Sequence, residues 1–304
     1  MTGISIGVLA DERMLTGPLA QRRAMLERVR SAGLDHVFVP DHISFHTGLG
    51  MDGLIQAATA AALEPALGIH VGVYLLALRH PVLVARQIAS LCESAPGRLV
   101  LGVGVGGEDR HEIEICGVDP RTRGRRTDES LAALRALLRG APVSHAGEFF
   151  SFEHAWIRPA PDPAVRIVVG GRSAAAVRRA GRQGDGWLGV WCSARRYAEV
   201  RAEVEAEGAD RPVAWRHGLQ VWVGLDADRA RARDRLSQRM TGVYRIPFER
   251  FERYCPYGSP AEIADFLAAY VAAGARDFNV MAVAASSEEA VDGVAEIRAR
   301  LAAV

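Results

Sequence analysis

Residues 98–110 read RLVLGVGVGGEDR and contain the spacing G-x-G-x-x-G at Gly102, Gly104 and Gly107. That spacing is typical of a dinucleotide-binding turn, where the glycines open a helix and an acidic residue ends the next strand about 20 positions later. Here the polar stretch EDRHEIE follows the glycines, and the next clear helix starts near Arg126. No strand ends in an acid at the required distance, so the sequence argues against a dinucleotide-binding turn.

The same glycines have a period of two, because Gly102, Gly104 and Gly106 alternate with leucine and valine. Successive residues of a strand face opposite sides, so one face of this strand is apolar and the other carries no side chains. In a barrel the apolar face packs on helices and the glycine face points to the axis. The bare face favours a surface for a flat cofactor, and the alternative is space for bulky residues of other strands.

Short apolar runs alternate with amphipathic segments on both sides of this strand. The predicted strands are Ile4–Leu9, His36–Val39, Leu67–Leu76, Leu99–Val105, Arg166–Val169, Gly186–Val190, Gly218–Val223 and Asp277–Val283. The predicted helices are Leu19–Ser31, Gly53–Leu63, Val82–Glu93, Arg126–Leu138, Ser173–Arg182, Arg195–Glu207, Asp226–Thr241, Pro260–Ala273 and Glu288–Leu301. Eight strand–helix units predict one (β/α)8 TIM barrel over residues 1–304, with an insertion after helix 4 at about 141–163. A doubly wound sheet with two domains is the alternative.

Composition excludes several function classes. The formal net charge is +1, which gives no reason to expect nucleic acid or an anionic membrane as partner. No apolar run approaches the roughly 20 residues that a membrane helix needs, and the first residues read as a strand rather than a signal peptide. The four cysteines form no C-x-x-C pair, so we expect reduced thiols in a cytoplasmic protein without a metal site. Lysine is absent from the sequence, which excludes Schiff-base chemistry.

Polar side chains follow several of the predicted strands, at the end of a barrel where chemistry takes place. Strand two ends in VPDHISFH, and strand four ends in GGEDRH. A histidine can move a proton near neutral pH, and an adjacent carboxylate can orient it. We therefore predict His42 and Asp41 as an acid–base unit, with Glu108 as a third catalytic candidate and His111 beside it.

The segment after strand five indicates an anion site. Gly170 and Gly171 follow an apolar strand, Arg172 adds a positive charge, and Ser173 is a good helix N-cap. Free N–H groups at a helix N-terminus bind phosphate well, and glycines allow close approach. The alternative is an ordinary capped turn of the barrel.

Six segments then match one family in order: DH at 41–42, RHPVLVARQIASL at 79–91, GRLVLGVGVGGE at 97–108, RGRRTDESLAALRALLRG at 123–140, GGRSAAAVRRAGRQGDGW at 170–187 and GSPAEIADFLAAYVAAGARDFNV at 258–280. Together they resemble the bacterial luciferase-like family of flavin- and deazaflavin-dependent oxidoreductases. The resemblance implies a TIM barrel that holds FMN or coenzyme F420 at the C-terminal ends of its strands. It also implies that Glu93–Arg98 replaces the family's usual turn before strand four.

The resemblance implies roles for individual residues. His42 corresponds to an active-site histidine of the F420-dependent branch, and His46 stands where that branch often has an aromatic residue. Some members carry a non-proline cis peptide in a bulge of strand three, which here would join Gly72 to Val73. The residues predicted to line the cofactor are Asp41, Gly72, Val73, Gly106, Gly107, Glu108, His111, Gly170, Gly171, Arg172, Ser173 and Val190.

Three functions remain open at this point. The DH pair, the short chain and GC-rich coding favour F420-dependent hydride transfer with a small organic substrate. The first alternative is an FMN-dependent monooxygenase supplied by a separate flavin reductase, and the second is a non-catalytic flavin-binding protein. The resemblance further implies a homodimer, and a flavin or F420 reductase is a possible partner.

The sequence leaves the locations of two aromatic segments undecided. The insertion, with Phe149, Phe150 and Trp156, is predicted either as packing at the bottom of the barrel or as an edge of the substrate pocket. The stretch Tyr244–Tyr257 is aromatic and basic, and it could cover the pocket, contact a cofactor tail or join a dimer interface.

Overall fold

The computed structural model describes residues 3–46, 48–107 and 109–302. Eight parallel strands pair in chain order, and the eighth pairs with the first, so the sheet closes into a barrel. The strands are β1 Ser5–Leu9, β2 His36–Val39, β3 Gly68–Tyr74, β4 Leu99–Val103, β5 Arg166–Gly170, β6 Gly186–Val190, β7 Gly218–Leu225 and β8 Asp277–Val283. The TIM-barrel prediction is therefore confirmed.

Nine α-helices of ten residues or more surround this barrel within the described residues, and a one-turn helix, Glu12–Leu15, follows the first strand. The nine are α1 Leu19–Ser31, α2 Gly53–Leu63, α3 Pro81–Ser94, α4 Arg123–Leu137, α5 Ala174–Gln183, α6 Ala194–Glu207, α7 Arg229–Tyr244, α8 Pro260–Ala272 and α9 Ser287–Ala302. Aspartate or serine caps many of their N-termini, because a side-chain oxygen there accepts the free N–H groups of the first turn. Ser259 and Glu262, for example, form a complete capping box at α8. Because each helix follows a strand and runs back along it, the helix N-termini lie at the mouth of the barrel, the end at which the strands finish.

Strand β4 behaves as its alternating sequence predicts, but it ends earlier. Leu101 and Val103 pack in the main core between sheet and helices, whereas Val100 points inward against Val168 and Leu188. The strand stops at Val103 rather than Val105. Beyond it Gly106 and Gly107 have φ of +68° and +148°, which turn the chain out of the sheet.

Polar side chains fill the interior of the barrel below the mouth. Rings of His36 and His70 stack with their centroids 3.6 Å apart. Both imidazoles bond Oδ1 of Asn279, at 2.8 and 3.2 Å. One layer lower, Asp277 pairs with Arg166 at 3.0 Å and Arg216 at 2.7 Å. We call this polar network, which lies directly below the mouth, the floor of the barrel.

Two short elements at the mouth lie outside the predicted pattern. An antiparallel hairpin pairs His42–Phe45 with Leu49–Met51, and a short helix spans Arg110–Glu114. A third addition, the predicted insertion, forms the hairpin Val143–Ala146 and Ser151–Ala155. Its tip packs on the N-terminal part of α4, where Glu129 accepts from the N–H groups of Phe149 and Phe150. The insertion thus lies along the outside of the barrel rather than beneath it.

Candidate active site

His42 lies on the hairpin that follows β2, at the mouth of the barrel. Its Nδ1 is 3.1 Å from Oε2 of Glu112, which comes from the short helix after β4. Glu112 also accepts hydrogen bonds from the backbone N–H groups of Ile43 and Ser44, at 2.6 and 3.1 Å. The carboxylate therefore fixes both the ring and its hairpin. The Nε2 atom of His42, whose side chain is partly exposed, takes no part in this contact.

The Glu112 side chain is only 3% exposed. Burial alone would raise its pKa, but the hydrogen bond and charge of His42 and the two backbone N–H groups lower the pKa below its ordinary value. Glu112 is therefore a charged acceptor at neutral pH. A carboxylate bound to Nδ1 fixes the tautomer of an imidazole and stabilises its protonated form.

The partners of Asp41 lie away from His42, so Glu112 rather than the predicted Asp41 is the carboxylate bonded to the ring. The buried carboxylate of Asp41 accepts from the N–H groups of Gly53 at 2.9 Å and Leu75 at 2.8 Å. Both of its oxygens also bind the guanidinium of Arg79, at 2.7 and 2.8 Å. Neighbouring residues of an extended segment point to opposite sides, which directs Asp41 into the protein and His42 to the mouth.

Asp41 and Arg79 form a structural anchor instead. Arg79 also reaches Asp52, the N-cap of α2, at 3.1 Å, and its guanidinium lies 4.3 Å from the ring centroid of Tyr74. Burial raises the pKa of Asp41, while Arg79 and the two backbone donors oppose this. The anchor ties the ends of β2 and β3 to the start of α2, and so holds the segment that carries His42.

The glycine face of β4 meets the bulge of β3. The Gly72–Val73 peptide bond is cis, as the resemblance implied. A Cβ on Gly104 would overlap Cγ2 of Val73, and one on Gly170 would lie 3.1 Å from Cγ1 of Val73. A Cβ on Gly102 would lie 2.5 Å from the carbonyl oxygen of Val71. The glycines thus make room for the bulge, which was the alternative interpretation, and Val73 forms the surface on this side of the mouth.

The predicted anion site is a helix N-terminus. Ser173 caps α5 by accepting from the N–H of Ala176 at 3.2 Å. Gly171 has φ of +122°, and its carbonyl oxygen accepts from the indole of Trp187 at 2.8 Å. Arg172 is exposed, with its guanidinium 5.6 Å from the ring centroid of Trp191. The arrangement suits an anionic group next to the glycines.

Other predicted residues lie around the same mouth. Gly106 and Gly107 follow β4, and a Cβ on Gly107 would be 3.7 Å from Nη2 of Arg123. His111 is exposed, and its N–H donates to Asp109, the N-cap of the short helix. Val190 ends β6 and is half-buried. Glu108 lies outside the described residues.

Opposite the glycines the mouth is aromatic. Trp222 of β7 and Phe38 of β2 belong to a cluster that α7 and residues 248–255 cover. Trp191, just after β6, packs on Phe251 with ring centroids 4.7 Å apart. Its Nε1 is buried without a hydrogen-bond partner among the described residues. The segment Tyr244–Tyr257 therefore contributes a wall to the mouth.

Sequence reasoning missed Glu112, Arg79 and Trp191 as members of this region. Glu112 was within the quoted stretch EDRHEIE, and its spacing of three from Asp109 places both acids on one side of a helical turn. That spacing was the available signal. Nothing in the sequence indicated that Glu112 would contact the hairpin some 70 residues earlier.

Comparisons with known proteins identify the family of the chain. A model of the luciferase-like monooxygenase family matches residues 2–245. An F420-dependent glucose-6-phosphate dehydrogenase of Beutenbergia cavernae is 36% identical over 213 residues, which are 66% of this chain and 63% of that protein. A protein of the same description from Kineococcus radiotolerans is 26% identical over 300 residues, 86% of each chain. The chain thus spans less than two thirds of the first relative and most of the second.

A solved structure has the same fold along its whole length. It is described as an F420-dependent secondary alcohol dehydrogenase in complex with an F420-acetone adduct. The TM-score is 0.85 at 18% identity, over 98% of this chain and 99% of that one. The family model covers most of the chain and the fold agrees. The chain therefore belongs to the luciferase-like monooxygenase family.

Proposed function

We propose that this chain is an F420-dependent oxidoreductase that transfers hydride between the cofactor and a small alcohol or its carbonyl counterpart. The observation that carries the proposal is the His42–Glu112 pair, at the same mouth as the surface formed by Val73 and the turn Gly106–Gly107. Relatives described as F420-dependent dehydrogenases support the choice of cofactor.

The residues at the mouth fit a flat, anionic cofactor. Gly106 and Gly107 expose backbone rather than side chains, and Val73 presents a small apolar surface beside them. Gly170–Ser173, the N-terminus of α5 and the exposed Arg172 would bind a phosphate. When bound there, a deazaflavin supplies a ring carbon that accepts or returns hydride.

The part played by His42 is proton transfer. As hydride leaves the substrate carbon, the hydroxyl proton passes to Nε2 of His42, and a carbonyl group remains. In the reverse direction the same nitrogen returns the proton. Glu112 holds Nδ1 and so fixes the orientation of the ring. Positioned acid–base groups of this kind contribute about 10²–10⁴-fold in rate.

The first experiment measures which cofactor binds. The purified protein is titrated with F420 and with FMN, and the absorption of the retained cofactor is recorded. We expect tight binding of F420 and weak binding of FMN. Preference for FMN together with oxygen consumption would select the monooxygenase, and failure to bind either cofactor would refute the proposal.

The second experiment tests the acid–base pair. His42→Ala should retain F420 and lose about 10²–10⁴-fold in kcat. Glu112→Gln should lose less, because the amide still accepts the two backbone hydrogen bonds. His154→Asn, at an exposed position on the outer hairpin, is the matched control. Turnover by His42→Ala at the wild-type rate would remove His42 from the mechanism.

Assembly and location complete the proposal. We infer a homodimer in the cytoplasm, and exposed Leu19, Ile55 and Leu83 at the N-terminal ends of α1, α2 and α3 support a shared apolar interface. None of the helices in the described ranges is long and apolar enough to cross a bilayer. Light scattering of the eluted protein should give twice the chain mass, and a monomer would contradict the interface.

A further inference from the structure

The mouth contains a second pair of carboxylate and imidazole beside the first. His46 directly follows the hairpin strand that His42 begins, and Asp109 caps the short helix that carries Glu112. Oδ2 of Asp109 accepts from the backbone N–H of His46 at 2.7 Å and lies 3.5 Å from Nδ1 of its ring. The second distance is long for a hydrogen bond but within reach of an ion pair.

The hydrogen bond from the backbone N–H of His46 helps to keep the Asp109 carboxylate charged. The backbone hydrogen bond from His46 lowers the pKa of Asp109 most, and burial, which would raise the pKa, is outweighed. The N–H of His111 contributes as well. A charged carboxylate next to Nδ1 favours the tautomer with its proton on Nδ1, and so makes Nε2 an acceptor.

The far nitrogen of the second imidazole finds no partner in the part of the chain that the structure describes. Nε2 of His46 is buried and makes no hydrogen bond with the described residues. Packing alone does not explain a histidine here, since a phenylalanine would fill the same space against Phe45 without an unpaired polar atom. A buried acceptor without a partner costs about 1–3 kcal/mol in general. The polarity of His46 therefore indicates a partner outside residues 3–46, 48–107 and 109–302.

The two imidazoles are close to one another. Phe45 lies between them, with its ring centroid 4.3 Å from that of His42 and 4.1 Å from that of His46. The histidines are four residues apart on the hairpin, and their acids are three residues apart on the facing segment. The hairpin and the segment facing it thus hold two imidazoles near carboxylates, with ring centroids separated by no more than the sum of those two distances.

We propose that Nε2 of His46 binds a second hydroxyl group of the substrate, so that the enzyme prefers vicinal diols or larger polyols to simple alcohols. The inference rests on the proposed function, in which His42 takes the proton of the reacting hydroxyl. His46 then accepts a hydrogen bond from the neighbouring hydroxyl. Asp109 is a positioning residue that orients the ring of His46.

The test uses substrate pairs that differ by one hydroxyl: 2-butanol with butane-2,3-diol, and cyclohexanol with trans-cyclohexane-1,2-diol. Imidazole ¹⁵N resonances are recorded during titration of the protein with and without F420. The His46 signals are assigned by their loss in His46→Phe. Both diols should shift the Nε2 signal of His46, and both simple alcohols should leave it in place. A His46 signal unaffected by the diols, or shifted equally by both members of each pair, would overturn the proposal.

Kinetics provide a second measure on the F420-loaded enzyme. In His46→Phe the diol-to-alcohol ratio of kcat/KM should fall about tenfold, which is what one neutral hydrogen bond contributes. The loss should fall on KM rather than kcat. Asp109→Asn keeps the helix cap and should give a smaller loss of the ratio, while His154→Asn should give none. An unchanged ratio in His46→Phe contradicts the proposal.

The two proposals fail in distinguishable ways. If the protein binds no F420 or oxidises neither member of a pair, the proposed function fails, and the titration without cofactor still decides whether His46 binds a diol. If simple alcohols are oxidised by wild type and His46→Phe alike, with no advantage for diols in either, only the role of His46 fails. Thermal unfolding of each variant shows whether the hairpin is intact.

Discussion

The two halves of the barrel mouth are built in opposite ways. Strands β3, β4 and β5 present backbone and one valine, because Gly102, Gly104 and Gly170 leave space only for Val73. Strands β7, β8, β1 and β2 are covered by large side chains, among them Trp222. A Cβ on Gly102 or Gly104 would overlap an atom already in place, so these two positions of the glycine half accept no larger residue without displacement. The aromatic half can change by replacement of side chains, so it is the half in which substrate preference can vary.

The largest loss of stability is expected where the two halves of the mouth meet, at the Asp41–Arg79 contact between the ends of β2 and β3. Arg79→Met removes the cation that pairs with the fully buried carboxylate of Asp41. Loss of one partner of a buried ion pair costs about 3–5 kcal/mol of unfolding free energy. Urea unfolding should show this loss. Arg300→Met, which removes an exposed pair with Glu296, should change stability by less than about 0.5 kcal/mol. Equal effects of the two variants would contradict the anchor.

Acid should weaken the floor beneath both halves. Burial lowers the pKa of His36 and His70. It also lowers, to about 4, the pKa of His217, a buried residue just before β7 whose Nδ1 accepts from the N–H of Trp187. Below the ordinary histidine pKa the unfolded chain therefore binds more protons than the folded one, and stability falls as pH falls. Each histidine that stays neutral lowers the free energy of unfolding by about 1.4 kcal/mol per pH unit of acidification. The three together lower it by up to about 4 kcal/mol per pH unit.

Chemical denaturation at pH 7.5, 6.5 and 5.5 measures this dependence. Stability should change little between the first two values and fall steeply between the last two. The variant His70→Asn keeps a polar side chain beside Asn279 and should show a shallower fall, by about one proton. A flat profile down to pH 5.5 would mean that these imidazoles are protonated in the folded protein.

The glycine half can be broken and then restored. Gly104→Ala places a methyl group against Val73, and overpacking of this kind costs about 1–3 kcal/mol. It should also weaken F420 binding, because the displaced Val73 forms the surface beside the cofactor. Adding Val73→Ala removes both Cγ atoms, so the double variant should lose less than the sum of the two single losses. Gly242→Ala in α7 has no atom within 4 Å and should stabilise the protein slightly.

How far the sequence predicts each half follows from the same contrast. The alternation of Gly102 and Gly104 with apolar residues identifies the two faces of β4. The succession of eight strand–helix units along the sequence predicts the barrel. The hairpin of His42 and the helix Arg110–Glu114 are too short for periodicity to show. The position of His42 was predictable from the end of β2. Its partner Glu112 was not, because that contact joins segments 70 residues apart.

The aromatic half gives the smallest effect and the sharpest contrast with the glycine half. Tyr244→Phe removes the hydroxyl that accepts from Nε1 of Trp222 at 3.0 Å, while the ring retains its contacts with Trp191 and Phe251. Loss of one such hydrogen bond should cost about 1 kcal/mol of unfolding free energy. F420 affinity should be unchanged, since the variant leaves the backbone of β3, β4 and β5 untouched. Reduced F420 affinity in Tyr244→Phe would mean that the two halves bind one ligand jointly, and that substrate and cofactor cannot be assigned to separate sides.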